Sequence, residues 1–268
     1  MKLITRIVGE GKDLIILHGL YGSGDNWLTF ARQLAENYKV HLPDQRNHGN
    51  SPHHPDNSYK AMVSDLMEYI DDHNISSPIV LGHSMGGKTA MWLSILHPEI
   101  ISRLIVADIS PVDYAQVTNP SALIGQHLNI VNAMKMIDLS VLKKREEIDK
   151  ELSAFIPSDR VRQFLIKSIE RKKDGSYHWK LNIDAIRNSL PEIMQGIDIA
   201  KYALSINPNL PVLFVRGELS DYIPEKDFEA IKLLYPNAII DTIFESGHWI
   251  HAEKPEAFLA VLNDFLNK

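Results

Sequence analysis

The sequence predicts an α/β fold: a mostly parallel sheet covered by helices on both faces, interrupted late in the chain by a helical insertion. Three observations carry this expectation. Short apolar runs alternate with helix-length amphipathic stretches from residue 3 to 107 and again from 211 to 265, the pattern of successive strand-helix-strand units. Between residues 112 and 209 that alternation gives way to a largely helical pattern. Finally, Gly82-His83-Ser84-Met85-Gly86-Gly87 joins an apolar run to a helix through a turn whose glycine flanks let strand and helix approach closely.

Taken in order, residues 3–8 and 13–17 read as an opening pair of strands, with Gly9 and Gly11 making the turn between them. A glycine-rich loop, His18-Gly19-Leu20-Tyr21-Gly22-Ser23-Gly24, then leads to a helix over 27–36. A short strand at 39–42 feeds the polar loop Pro43-Asp44-Gln45-Arg46-Asn47-His48-Gly49-Asn50-Ser51. The helix expected over 59–73 carries Met62, Leu66, Tyr69 and Ile70 at helical spacing. A strand at 78–81, a helix over 84–96 closed by His97-Pro98, and a strand at 103–107 follow. Within the insertion, helices are expected over 121–137, 139–155 and 160–172, with Asp174-Gly175 turning a small hairpin. The alternation resumes with strands at 211–216 and 238–244 and helices over 227–235 and 255–265. The expected organisation is a core domain of residues 1–111 and 210–268, with a helical cap insertion over 112–209.

Composition narrows the function. At 268 residues, 44% hydrophobic and 23% charged, the chain suits an ordinary globular protein with a well-buried core. A net charge of -6 and a pI near 6.0 argue against a nucleic-acid partner. The basic run Lys143-Lys144-Arg145 is followed at once by Glu146-Glu147 and reads as a solvated helix face. Zero cysteines exclude disulfides, a thiol nucleophile and cysteine-bound metals, and favour a cytoplasmic location. Neither a secretory leader nor a membrane-spanning run is expected. An apolar outer face on the cap would allow two copies to pair as a homodimer.

The chemistry starts from Ser84, at the centre of Gly-x-Ser-x-Gly. A serine hydroxyl is a weak nucleophile at neutral pH and needs an imidazole base whose other nitrogen is held by a carboxylate. His248, in Gly247-His248-Trp249 after the final strand, follows the serine and the candidate acids in chain order and is the expected base. His83 is expected to pack beneath the turn. Two carboxylates compete for the third role, Asp108 after the strand at 103–107 and Asp221 after the strand at 211–216. Both sit at the carboxyl edge of the sheet, where α/β sites assemble; Asp184, in the cap, is a weaker third. Backbone amides of Met85 and Leu20 are the expected oxyanion donors. Gly22-Ser23-Gly24 fails the spacing of a dinucleotide fingerprint. No metal is expected, since neither His48, His53 and His54 nor His248 and His251 show metalloprotease spacing. Trp249 is placed to wall the pocket.

These segments together resemble the α/β-hydrolase superfamily, and within it the YbfF-type esterases and their relatives of the ABHD11 type. The likeness spans nearly the whole chain. It rests on the loop from His18 to Ser23, Asp44-Gln45-Arg46-Asn47-His48-Gly49-Asn50-Ser51, the Ser84 turn, Asp108-Ile109-Ser110-Pro111-Val112, and Gly247-His248-Trp249-Ile250-His251. Most of the superfamily carries Arg-Gly-x-Gly where this chain has Arg46-Asn47-His48-Gly49. The resemblance implies an α/β-hydrolase fold with about eight strands and a helical cap. It implies a serine esterase acting on small acyl esters or thioesters without a cofactor. It also implies Asp108 as the acid, because the branch draws its carboxylate from an Asp-Ile-x-Pro segment and generally lacks an aspartate where this chain has Asp221. Competing functions are a carbon-carbon hydrolase or lyase, which would need an arginine clamp for carboxylated substrates, and a ligand-binding receptor without turnover.

Overall fold

The computed structural model describes residues 1–114 and 120–268, with side chains from residue 124 onward in the second stretch. Residues 115–119 of the expected cap, and the side chain of Ser121 at the start of its first expected helix, lie outside the described residues. The main sheet has seven strands in the order β1-β3-β2-β4-β5-β8-β9. They are β1 (Thr5–Val8), β2 (Lys12–Leu17), β3 (Tyr38–Pro43), β4 (Ile79–His83), β5 (Arg103–Ala107), β8 (Val212–Gly217) and β9 (Ile239–Ile243). All neighbours run parallel except β1 against β3. These are the seven strands read one by one from the sequence; the resemblance implied about one more than the described residues hold.

Strands β4, β5 and β8 are apolar at nearly every position because helices cover both faces. One face packs α1 (Leu28–Leu34), the short α10 (Ile250–Glu253) and α11 (Pro255–Leu266) through Phe30, Leu34, Ile250, Phe258 and Leu262. The other packs α2 (Tyr59–Asp72), α3 (Met85–Leu96) and α9 (Phe228–Leu234), and merges with the core of the insertion. Ser58 starts α2 by accepting the Ala61 amide at 3.3 Å.

One pairing differs from the sequence reading. The first two strands are not partners: β3 lies between them, and Thr5 faces Pro43. Gly9 and Gly11 adopt φ of 78° and 110°, and a Cβ at Gly9 would collide with the carbonyl oxygens of Ala35 and Tyr38. The link between β1 and β2 therefore passes tight against the turn into β3 instead of closing a hairpin.

Between β5 and β8 lie α4 (Pro120–Met136), α5 (Arg145–Ser153), α6 (Asp159–Ile166), a hairpin of β6 (Ile169–Arg171) and β7 (Tyr177–Trp179), α7 (Ile183–Met194) and the short α8 (Ile199–Tyr202). The helix expected over 139–155 begins only at Arg145. Asp138 accepts the Ser140 amide and hydroxyl at 3.0 and 2.6 Å, and Glu147 accepts the amides of Lys143 and Lys144 at 2.7 and 3.2 Å, so side chains claim the backbone ahead of the helix. The helix expected over 160–172 stops at Ile166 and becomes β6. The hairpin turns at Gly175, φ 88°, as the Asp174-Gly175 pair indicates.

Helix α7, which the sequence reading did not single out, is stitched to the core along its length. Asn182, its N-cap, donates to Asn47 Oδ1 at 3.0 Å, and its backbone amide donates to the Asn47 carbonyl at 3.0 Å. Asn57 donates to Ser189 at 2.9 Å and Tyr59 to the Ile193 carbonyl at 2.9 Å. The ammonium of fully buried Lys88 donates to the carbonyl of Gln195 and sits 4.6 Å over the Tyr114 ring. Among the described residues no helix is long and apolar enough to cross a membrane.

Candidate active site

Ser84 lies between β4 and α3 with φ 54° and ψ -123°, a backbone state that costs a non-glycine residue of order 1–3 kcal/mol. Its surroundings impose this state. The Ser84 amide donates to the Ala107 carbonyl at 3.0 Å and its carbonyl accepts the Lys88 amide at 3.1 Å. A Cβ at Gly82 would strike the Gly86 carbonyl, and one at Gly86 would strike the Leu17 carbonyl. Between Pro78 and Met91, every residue except Ser84 is buried. The turn thus lifts the hydroxyl out of the core. The Met85 amide stands in the first turn of α3, where N–H groups have no helical carbonyl to bond.

Asp108 follows β5 and is completely buried, also in the left-handed region at φ 51°. Its Oδ2 lies 2.8 Å from Nδ1 of His248 and accepts the Ser220 hydroxyl, while Oδ1 accepts the Gly217 amide at 2.9 Å. The carboxylate only accepts, so Nδ1 carries the imidazole proton and Nε2 is left basic. The ring is held from two further directions. Tyr222 stacks on it at 3.9 Å and 21°, and His83 Nε2 donates to the His248 carbonyl at 2.8 Å. His83 does lie under the turn, and burial keeps its pKa well below the usual value. Asp221 is exposed, and Asp184 is exposed and paired with Lys135 at 2.5 Å. Asp108 is the candidate acid that the structure brings to His248.

The loop after β2 brings Leu20 to the same place. The Gly22 amide closes the turn on the Gly19 carbonyl at 3.0 Å, with Tyr21 at φ 66°. Below it, His18 Nε2 accepts the Gln45 amide at 2.9 Å, so Nδ1 carries the proton and donates to the Gly19 carbonyl at 2.9 Å. Burial holds this imidazole neutral, with its pKa lowered to about 4. Gln45 in turn donates to the His18 carbonyl at 2.7 Å and accepts from Thr89 of α3 at 3.0 Å. From the insertion, His127 meets the Tyr21 hydroxyl at 3.1 Å and the Tyr222 hydroxyl at 3.3 Å. It thereby joins the loop carrying Leu20 to the ring that stacks on His248.

Ser84, Leu20 and His248 line one cavity of about 530 Å³ between core and insertion, walled mostly by apolar side chains including Ile130, Phe155, Phe164 and Trp249. Trp249 walls it as the sequence suggests. Sequence reasoning missed Ser220, Tyr222 and His127, none of which sits in a local motif. The Ser220-Asp221 pair in the loop after β8 was the nearest available signal.

A family model described as alpha/beta hydrolase fold matches residues 13–255. The chain is 35% identical to the sn-1-specific diacylglycerol lipase ABHD11 of Mus musculus over 257 residues, covering 94% of this chain and 80% of that protein. It is 33% identical to Esterase YbfF of Escherichia coli (strain K12), covering 95% of this chain and 92% of that one. Among solved structures, a marine microorganism esterase superposes with a TM-score of 0.91 at 48% identity, over 98% of this chain and 99% of that chain. The fold, the matched family and these relatives agree: the chain belongs to the α/β-hydrolase fold family and is a hydrolase of the esterase/lipase type.

Proposed function

We propose that the protein is a serine esterase that cleaves small acyl esters or thioesters through an acyl-enzyme. Ser84 attacks the acyl carbonyl, and His248 Nε2 takes its proton and returns it to the leaving group. Asp108 fixes the imidazole in the required tautomer and stabilises its charged form. The amides of Leu20 and Met85 hold the oxyanion, each worth about 3 kcal/mol of barrier. Water, activated by the same imidazole, then releases the acid. No cofactor enters this scheme. Residues 112–209 act as the cap that closes the site, and the cysteine-free composition supports a cytoplasmic setting.

One observation carries the reading: a buried carboxylate orients His248 in the cavity whose wall holds Ser84 on a left-handed turn. Ser84→Ala is expected to lower kcat on p-nitrophenyl esters by roughly four orders of magnitude or more while the folded state persists. A fluorophosphonate is expected to label Ser84 in the unaltered protein. Retained turnover in the variant, or labelling mapped elsewhere, would remove Ser84 from the role.

A further inference from the structure

Ser84 stands between two spaces of very different size. Besides the cavity of about 530 Å³ there is a second one of about 20 Å³, and both are bounded by Leu20, Ser84, His127 and Tyr222. His127 and Tyr222, which line both, are 3.3 Å apart. Met85 lines the small space but not the large one; His248 lines the large one but not the small one.

This asymmetry assigns the two halves of an ester. In acyl transfer the imidazole must deliver its proton to the leaving oxygen, so the alcohol half lies on the His248 side. The acyl half then extends past the oxyanion donors, on the Met85 side. A single water needs about 10–15 Å³ of such space, so the small chamber has room for about one methyl-sized group. Its walls do not yield easily. Ile109, Ile193 and Met194 are buried, Tyr59 is tied to the Ile193 carbonyl at 2.9 Å, and Tyr114 packs under the Lys88 ammonium. Of these, Met194 has the most adaptable side chain.

We propose that the preferred substrates are acetyl-sized esters of bulky apolar alcohols, with the acyl group beside Met85 and Met194 and the alcohol in the large cavity. The inference rests on the serine-esterase reading of Ser84. Octyl acetate and ethyl octanoate test it, because these isomers carry the same atoms with the long chain on opposite sides of the ester.

With the full chain in a pH-stat, kcat/KM for octyl acetate is expected to exceed that for ethyl octanoate by at least about 100-fold, given roughly tenfold or more per ill-fitting methylene. Equal or reversed rates overturn the assignment while leaving the protein an esterase. Turnover of neither isomer overturns it as well, and failure of a fluorophosphonate to label Ser84 in the same preparation would independently count against the hydrolytic reading. In Met194→Ala, the ratio of kcat/KM for octyl butanoate to that for octyl acetate should rise about tenfold. Both esters are measured on one preparation, so partial unfolding cancels, and an unchanged ratio rejects the small chamber as the acyl site.

Discussion

Asp108 has three donors on two oxygens: the His248 imidazole, the Ser220 hydroxyl and the Gly217 amide. Asp108→Asn would turn an N–H toward one of these donors and favour the wrong imidazole tautomer, so kcat should fall by about 10⁴-fold. Asp221→Asn, on an exposed side chain, should leave kcat within about twofold. Steady-state kinetics of the two variants checks this, and the reverse ranking would transfer the role to Asp221. That Ser84 and His248 would share one cavity was legible because each sits in a short motif with a strong local geometric requirement. The choice of acid was not legible from the residues alone. It depends on how the loop after β8 turns to aim Ser220 at Asp108 and Asp221 at solvent, which local sequence does not encode.

The segment Arg46-Asn47-His48-Gly49 connects the elements. Asn47 has φ 66°, which explains why an asparagine stands where most of the superfamily keeps glycine: both tolerate the left-handed region. Its amide adds bonds that glycine lacks, donating to Asn57 at 2.9 Å and accepting from the His54 backbone at 2.7 Å and from Asn182 at 3.0 Å. Asn47→Ala should lose these bonds, strain the backbone and destabilise the protein by roughly 3–5 kcal/mol, read from urea unfolding. A change below about 1 kcal/mol would show that the latch is not needed. The sequence marked this segment as distinctive without revealing its use. Core elements were legible because a sheet covered on both faces demands short continuous apolar runs, which amphipathic helix-length stretches separate. In the insertion, Asp138 and Glu147 bond the chain ahead of α5, and such short-range capture overrides helical spacing.

The whole molecule carries a set of buried neutral imidazoles. Burial lowers the pKa of His18 to about 4 and that of His48 and His251 to about 3, against 6.5 for a free side chain. Below pH 6.5 the unfolded chain takes up protons that the folded chain refuses, so stability falls as pH drops from 6.5 toward 4. By pH 5 the loss is on the order of 2 kcal/mol per imidazole, and a few together would consume most of a typical 5–15 kcal/mol margin. Urea midpoints at pH 7 and pH 5 should therefore differ sharply, and equal midpoints would contradict burial in the neutral form. The stitching of α7 through Asn182, Ser189, Ile193 and Gln195 has an evolutionary consequence at this scale. A helix sewn to the core at several points serves as a fixed seam. The elements of the insertion ahead of it, α4 to β7, are then free to diverge or be transplanted between homologues without disturbing the sheet beneath.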